Sequence, residues 1–312
     1  HLTLLPLAIL LENLGGYAAL MAGATVSVPS LAALGIQGAS GVDAARLLGT
    51  LADRAPHSLI LVPQLLLVLV SAAEQRAFDP RTLRFAAVGG ARVATELLIR
   101  AQRIGLPVYE GYGLSECASV VCLNRPQAHR PGSVGQPLPH LQVRLAEDGE
   151  VLIKGSALLG YLGQPPHTDA WWPSGDLGEL DAEGFLYIKG RKKHQFVTSF
   201  GRNINPEWVE AELTQRGVFA QAFVYGEAMA HNHALLWPHQ PGCTDTELAA
   251  AVAQANQALP DYAQVHRWTR LEQPFTTANG LLTANGRPRR DAIVAVYHHL
   301  LTESVVSEES AS

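Results

Sequence analysis

Two short segments of the sequence place aromatic, hydroxyl and acidic side chains beside glycines, a combination that suits nucleotide binding. The first, Y-E-G-Y-G-L-S-E, covers residues 109–116. Glycines on both sides of Tyr112 let the backbone turn sharply while the ring offers a flat face to a base. The Ser115 hydroxyl can donate to a phosphate oxygen, and the Glu116 carboxylate can ligate Mg²⁺. A glycine-rich turn with a capping serine explains the same residues without a ligand, so this segment alone leaves both interpretations open.

The second segment, S-G-D-L-G-E-L, covers residues 174–180 and leads through a hairpin to G-R-K-K at residues 190–193. The Asp176 carboxylate has two acceptor oxygens and can bind both hydroxyls of a ribose. Arg191, on the far side of the hairpin, can return to the same sugar. A surface hairpin with ordinary charges is the alternative interpretation.

The elements that must position these segments change in character along the chain. Residues 6–22 suit a buried helix. Strands and helices then alternate, a pattern that predicts a parallel sheet covered on both faces. The expected strands are 58–62, 84–88 and 107–109, and the expected helices are 63–73 and 95–104.

Beyond residue 132 the pattern becomes one of short strands at 141–145, 150–154 and 185–189, separated by Asp-Gly and Glu-Gly pairs that favour tight hairpins. We therefore expect an α/β fold of three parts. These are a large domain (1–191) with a parallel sheet and a small β-rich subdomain, a small α+β C-terminal domain (192–302), and a flexible tail (303–312).

Composition narrows the class of protein. The 312 residues are 47% hydrophobic and 16% charged, which predicts a large buried core. A net charge of −5 gives no electrostatic reason to expect nucleic acid as a partner. The three cysteines show no pairing pattern and indicate a reducing, cytoplasmic environment. The apolar run 59–70 is shorter than the roughly 20 residues that a membrane span needs, so no transmembrane segment is expected.

Together with Gly89, Gly90 and Ala91, the two segments resemble the signature of the adenylate-forming (AMP-binding) superfamily, which includes acyl-CoA synthetases. The resemblance extends over most of the chain and is greatest to long-chain fatty acyl-CoA synthetases. It is carried further by G-E-V-L-I-K-G at 149–155, G-Y at 160–161, N-I-N-P-E-W-V-E at 203–210 and P-F-T-T-A-N-G-L-L-T at 274–283.

The resemblance implies a role for each matching residue. The backbone of Gly89, Gly90 and Ala91 would line adenine, and Tyr112 would stack on it. Ser115 would contact the α-phosphate and Glu116 would bind Mg²⁺, while Asp176 and Arg191 would hold the ribose. Lys193 stands where the superfamily has the hinge about which the small domain rotates. The cofactors implied are ATP or AMP, Mg²⁺, and CoA or a phosphopantetheine thiol.

Three departures from the superfamily pattern affect its expected activity. The superfamily's phosphate loop with its lysine is absent. The nearest similar segment, G-A-S-G at 38–41, lacks the lysine and is interpreted as a helix cap. The start at His1 looks cut, and we expect the phosphate loop upstream of it. The chain's lysines are residues 154, 189, 192 and 193, so Arg287 (or Arg289) occupies the place of the small-domain catalytic lysine. Ser199-Phe200-Gly201 replaces the Ser-Gly that lines the thiol tunnel, and Phe200 can narrow it.

The function predicted is ATP-dependent activation of a carboxylic acid, a fatty acid in the first instance, as an acyl-adenylate, followed by transfer to the thiol of CoA or of an acyl carrier protein. The run 59–70 and the helix at 6–22 can border an acyl pocket, although core packing explains them equally well. The alternative is a catalytically impaired relative that binds a nucleotide or acyl ligand.

Overall fold

A computed structural model describes residues 1–37, 41–283 and 286–302, which form two compact units. The first comprises residues 1–37 and 41–193, and the second begins at residue 194. The predicted tail 303–312 and residues 38–40 of the G-A-S-G segment lie outside the described residues. The helix cap expected there is made by Asp43, whose carboxylate accepts the N–H of Arg46 at 3.1 Å.

The first unit contains four helices and eleven strands in the part of the chain that the structure describes. In chain order these are α1 (Leu10–Met21), β1 (Ile36–Gln37), β2 (Gly41–Val42), α2 (Ala44–Arg54), β3 (Ser58–Leu61), α3 (Pro63–Glu74), β4 (Phe85–Val88), α4 (Thr95–Arg103), β5 (Val108–Tyr112), β6 (Cys122–Leu123), β7 (Gln136–Pro137), β8 (Gln142–Leu145), β9 (Glu150–Lys154), β10 (Trp172–Leu180) and β11 (Leu186–Arg191).

Strands β3, β4 and β5 are parallel neighbours and form the start of a five-stranded sheet, which confirms the predicted parallel arrangement. Strands β6 and β7 extend this sheet antiparallel to β5. Leu59, Leu61 and Val88 are buried in one apolar cluster with residues of α2, α3 and α4. This core fixes the carboxyl ends of β4 and β5, where the glycine-rich segments begin.

Strands β8 to β11 form a second, antiparallel sheet in the order β11-β10-β9-β8. The predicted hairpin strands are confirmed to within a few residues. The nine-residue strand β10 was not expected, because Pro173 and two glycines lower its strand propensity. Pairing with both β9 and β11 overrides that local preference, and the pairing is irregular at Leu177/Gly178.

The prediction of a buried helix at 6–22 is wrong about burial. Helix α1 buries Glu12 and Gly16, whereas Tyr17 and Met21 are largely exposed. The carboxylate of Glu12 accepts the backbone N–H groups of Leu4 and Leu5, and it faces the His1 ring at 3.1 Å. These bonds keep the Glu12 side of the helix inside the protein, and burial raises the pKa of Glu12 to about 7.

The second unit has mixed α and β structure, as predicted. Its sheet joins β14 (Phe219–Tyr225) antiparallel to β15 (Asn232–Pro238) and β15 parallel to β16 (Val265–Arg270). Val209, Phe219 and Leu248 are buried in its core. Its elements are β12 (Phe196–Val197), β13 (Asn203–Ile204), α5 (Pro206–Thr214), β14 (Phe219–Tyr225), β15 (Asn232–Pro238), α6 (Asp245–Asn256), β16 (Val265–Arg270) and α7 (Arg290–Thr302).

Helix length bears on membrane insertion. Among the described residues, no helix combines the length and apolar character needed to traverse a bilayer, and the longest has 13 residues.

Candidate nucleotide site

The loop after β4 lies against β5 through glycine backbone. The Gly89 N–H donates to the carbonyl of Leu61 at 3.1 Å. A Cβ on Gly89 would stand 3.0 Å from the Gly111 carbonyl oxygen, and Gly90 has φ +82°. Both positions therefore favour glycine, the first for space and the second for backbone conformation. The loop presents its backbone beside the end of β5.

Tyr112 is the last residue of β5 rather than the centre of a turn, which corrects the predicted conformation of this segment. Its hydroxyl donates to Asp176 Oδ2 at 2.6 Å. Burial, together with the negative charge of Asp176, raises the pKa of Tyr112, so the phenol stays protonated. The sharp turn follows instead at Gly113, where a Cβ would stand 1.5 Å from the carbonyl oxygen of Ser119.

Asp176 and Arg191 lie directly opposite one another on β10 and β11. Arg191 Nε is 3.0 Å from Asp176 Oδ1, and Arg191 Nη1 donates to the carbonyl of Ser174 at 3.1 Å. The Asp176 side chain is only 6% exposed. A nearly buried carboxylate therefore has one oxygen on a cation and the other on the Tyr112 phenol, a charge-assisted arrangement that fixes all three side chains.

Ser115 and Glu116 lie in a short 3₁₀ turn after Gly113. Ser115 is exposed and Glu116 is half-buried. Glu116 Oε1 accepts a hydrogen bond from the hydroxyl of Tyr161 at 2.8 Å, and the Glu116 carbonyl accepts the N–H of Leu158 at 2.7 Å. The acidic residue expected to bind a metal ion is therefore attached to the segment that follows β9.

Tyr161 connects the two halves of the site. Its hydrogen bond to Glu116 is the largest cause of the raised pKa of Tyr161, and the nearby positive charge of Arg191 opposes the increase. Arg191 in turn pairs with Asp176. The Tyr161 ring also packs on Trp172 of β10, the strand that carries Asp176, so Tyr112, Glu116, Asp176 and Arg191 lie in one neighbourhood of the first unit.

Sequence reasoning missed Glu110, which precedes Gly111 on β5. Burial raises the pKa of Glu110 to about 8, although the charge of Arg92 and a hydrogen bond from the N–H of Val93 oppose the increase. Glu110 is 7% exposed, and its Oε2 has no hydrogen-bond partner among the described residues. A glutamate inside an otherwise uncharged strand was the signal that could have identified it.

The remaining predicted residues are the hinge Lys193 and those of the second unit. Lys193 is in a 3₁₀ turn spanning Lys192–His194 at the end of the first unit. Arg287 is exposed, and its N–H donates to the Thr283 hydroxyl at 3.1 Å. Ser199, Phe200 and Gly201 form the tip of the β12–β13 hairpin.

Phe200 is 74% exposed, and Gly201 has φ +72°, which favours glycine. Residues 284 and 285 of the segment that contains Arg287 lie outside the described residues.

We expect Glu110→Gln to reduce the loss of stability that the wild type shows as pH rises. The pKa of Glu110 is raised from 4.5 to about 8 in the folded chain, so the unfolded chain releases this proton first. Folding stability therefore falls as pH rises between these values, by an amount on the order of a few kcal/mol. Urea unfolding followed by circular dichroism at about pH 5 and about pH 9 measures the difference. Equal pH dependence in both proteins would contradict the burial of an ionisable carboxyl here.

Comparison with known proteins gives consistent matches. The AMP-binding enzyme family model matches residues 1–162, and the AMP-binding enzyme C-terminal domain model matches residues 193–308. The long-chain-fatty-acid–CoA ligase FadD15 of Mycobacterium bovis is 33% identical over 239 residues, covering 67% of this chain and 40% of the ligase. The 2-succinylbenzoate–CoA ligase of Enterococcus faecalis is 31% identical over 224 residues, covering 66% of this chain and 45% of that ligase.

Among solved structures, the O-succinylbenzoate coenzyme A synthetase MenE of Bacillus subtilis in complex with AMP superimposes with a TM-score of 0.71 at 24% identity. The match covers 93% of this chain and 59% of MenE. This likeness confirms the predicted fold class. The chain spans less than half the length of the two ligases that it matches.

Proposed function

Because this chain belongs to the AMP-binding enzyme family, we propose that its first unit binds AMP as part of an enzyme that activates a carboxylic acid with ATP. The observation that carries the proposal is the linked set Tyr112–Asp176–Arg191, with Glu116 bonded to Tyr161, whose ring packs on Trp172 of β10. These side chains come from β5, β10, β11 and the turn after β5, so a packing requirement within one element does not explain their meeting.

The proposed AMP pose follows from the chemistry of the site. The backbone of Gly89, Gly90 and Ala91 lines the adenine, and the Tyr112 ring stacks against it. Asp176 and Arg191 hold the ribose hydroxyls on the opposite side of Tyr112.

The residues near the proposed phosphate position suit Mg²⁺. Glu116 supplies a hard carboxylate oxygen, and the exposed Ser115 hydroxyl lies next to it in the same turn. Mg²⁺ is usually held by one or two carboxylates plus substrate phosphates and water, so a single glutamate with a phosphate is sufficient. The ion, when bound, neutralises charge on the phosphate oxygens.

The proposed reaction joins the acid to AMP. An oxygen of the acid attacks the α-phosphorus of ATP, the bond to pyrophosphate breaks, and an acyl-adenylate forms. The acyl group then passes to a thiol, of CoA or of the phosphopantetheine on an acyl carrier protein, and AMP leaves. The two matched ligases act with CoA by name, and the higher identity to a long-chain-fatty-acid ligase supports a fatty acid as the substrate.

In this proposal residues 192–302 form the small mobile domain, which turns about Lys193 between the two steps. Arg287 supplies the positive charge that a lysine supplies elsewhere in the superfamily. The planar guanidinium of Arg287 differs from the compact ammonium of a lysine. The rate of adenylation therefore shows whether an arginine can replace the lysine at this position.

Asp176→Ala is expected to weaken AMP binding by about tenfold to a hundredfold, because a hydrogen-bonded charge at the ribose is lost. Isothermal titration calorimetry of the whole chain with AMP measures the change. Asp79→Ala is the matched control, since Asp79 is an exposed carboxylate that also pairs with an arginine, Arg81. Wild-type chain that fails to bind AMP, or an Asp176→Ala variant that folds and binds AMP as well as the wild type, would overturn the proposal.

A catalytically impaired, AMP-binding relative is the second candidate, favoured by the absence of lysine from residues 194–312. Under the enzymatic proposal, Arg287→Ala lowers acid-dependent ATP–pyrophosphate exchange by roughly 10²–10³-fold. We expect Arg287→Lys to retain exchange. Tight AMP binding by the intact polypeptide without any exchange would favour the impaired relative instead.

Phe200→Gly is expected to increase acyl-CoA formation several-fold, because the exposed ring narrows the proposed path of the thiol. Mass spectrometry of the products formed with CoA and with a phosphopantetheine-bearing carrier protein measures the preference. Tyr262→Ala is the control, since Tyr262 is another exposed aromatic residue of the same unit. Unchanged acyl-CoA formation in Phe200→Gly would show that this side chain does not narrow the path of the thiol.

A further inference from the structure

The role of Tyr161 follows from where its side chain lies. Tyr161 belongs to the segment between β9 and β10, and 49% of its surface is exposed. Its ring meets the buried ring of Trp172 edge to face, with centroids 6.0 Å apart. This contact directs the hydroxyl of a surface residue toward the 3₁₀ turn that carries Glu116.

Two separate bonds join the Tyr161 segment to this turn. One is the Tyr161 hydroxyl on Glu116 Oε1, at 2.8 Å. The other is the N–H of Leu158 on the backbone carbonyl of Glu116, at 2.7 Å. The backbone bond does not involve the phenol, so removal of the hydroxyl releases the carboxylate while the two segments stay joined.

The hydrogen bond restricts how Glu116 can bind a metal ion. The phenol occupies one acceptor position of Oε1, which leaves the acceptor positions of Oε2 for a metal ion. A carboxylate on an exposed turn otherwise samples several rotamers, and ordering it on binding costs free energy. Hydrogen bonds to the ligand side chains of metal sites orient those ligands in the same way.

We propose that Tyr161 is a positioning residue that holds Glu116 ready to bind the metal ion of the nucleotide complex through Oε2. This inference rests on the proposed AMP site. Tyr161 itself contacts neither the reacting atoms nor the metal ion, and it acts through the Glu116 carboxylate alone.

Tyr161→Phe tests the proposal, because it removes the hydroxyl and retains the ring on Trp172. Mn²⁺ is the probe, since carboxylate sites that bind Mg²⁺ accept it and its electron paramagnetic resonance signal reports the free ion. At saturating AMP, we expect Mn²⁺ affinity to fall about tenfold in Tyr161→Phe. AMP affinity in the presence of EDTA is expected to match the wild type.

Two further variants separate positioning from a general structural effect. Tyr187→Phe removes the hydroxyl of a tyrosine on β11 that donates to Asp181 at 3.3 Å, and it should leave Mn²⁺ affinity unchanged. Glu116→Gln should lower Mn²⁺ affinity, and adding Tyr161→Phe to it should lower the affinity no further.

Three results would contradict the proposed role of Tyr161. A Tyr161→Phe variant within twofold of the wild type would overturn the positioning role. Equal losses of AMP affinity in Tyr161→Phe with and without metal ion would overturn it too. So would a further loss of Mn²⁺ affinity when Tyr161→Phe is added to Glu116→Gln. Wild-type chain that binds no AMP would refute the proposed function, an outcome visible without any variant.

Discussion

The candidate site depends on the carboxylate of Asp176, which connects the five-stranded and four-stranded sheets of the first unit. One oxygen accepts from Tyr112 at the end of β5, and the other faces Arg191 on β11. A charge that is nearly excluded from water is tolerated only when it is paired and hydrogen-bonded. Asp176 therefore constrains the positions of both partners, and through them the distance between the five-stranded and four-stranded sheets.

Close packing of backbone supports this arrangement on the side of β5. Gly113 has no room for a Cβ beside the backbone of Ser119, and a Cβ on Gly89 would stand 3.0 Å from the Gly111 carbonyl oxygen. The site forms where β4 and β5 end, and the carboxyl ends of parallel strands are the usual place for ligand sites in α/β sheets. The antiparallel sheet contributes the acidic and basic groups, so neither sheet alone assembles the set.

Local patterns in the sequence predicted much of this fold. The apolar runs of β3 and β4 and the Asp-Gly and Glu-Gly turns identified the parallel strands and the hairpins, because these features act over a few residues. Strand β10 was missed because its glycines and Pro173 oppose strand formation, and long-range pairing decides the outcome. Helix α1 was expected to be buried, but hydrogen bonds to Glu12 turn its polar face inward.

The predicted hairpin placed Arg191 near Asp176, but the meeting of these two residues with Tyr112 and Glu116 was inferred from resemblance to a superfamily. No spacing rule brings residues 112, 116, 176 and 191 together. The bond from Tyr161 to Glu116 and the buried Glu110 depend on tertiary packing, and sequence reasoning assigned neither.

The most direct measurement is a crystal structure of the chain with AMP and Mg²⁺. Our account requires the adenine against Tyr112 and the backbone of residues 89–91, with the ribose hydroxyls at Asp176 and Arg191. A nucleotide bound elsewhere on the chain, with the Asp176 carboxylate facing no part of it, would contradict the account.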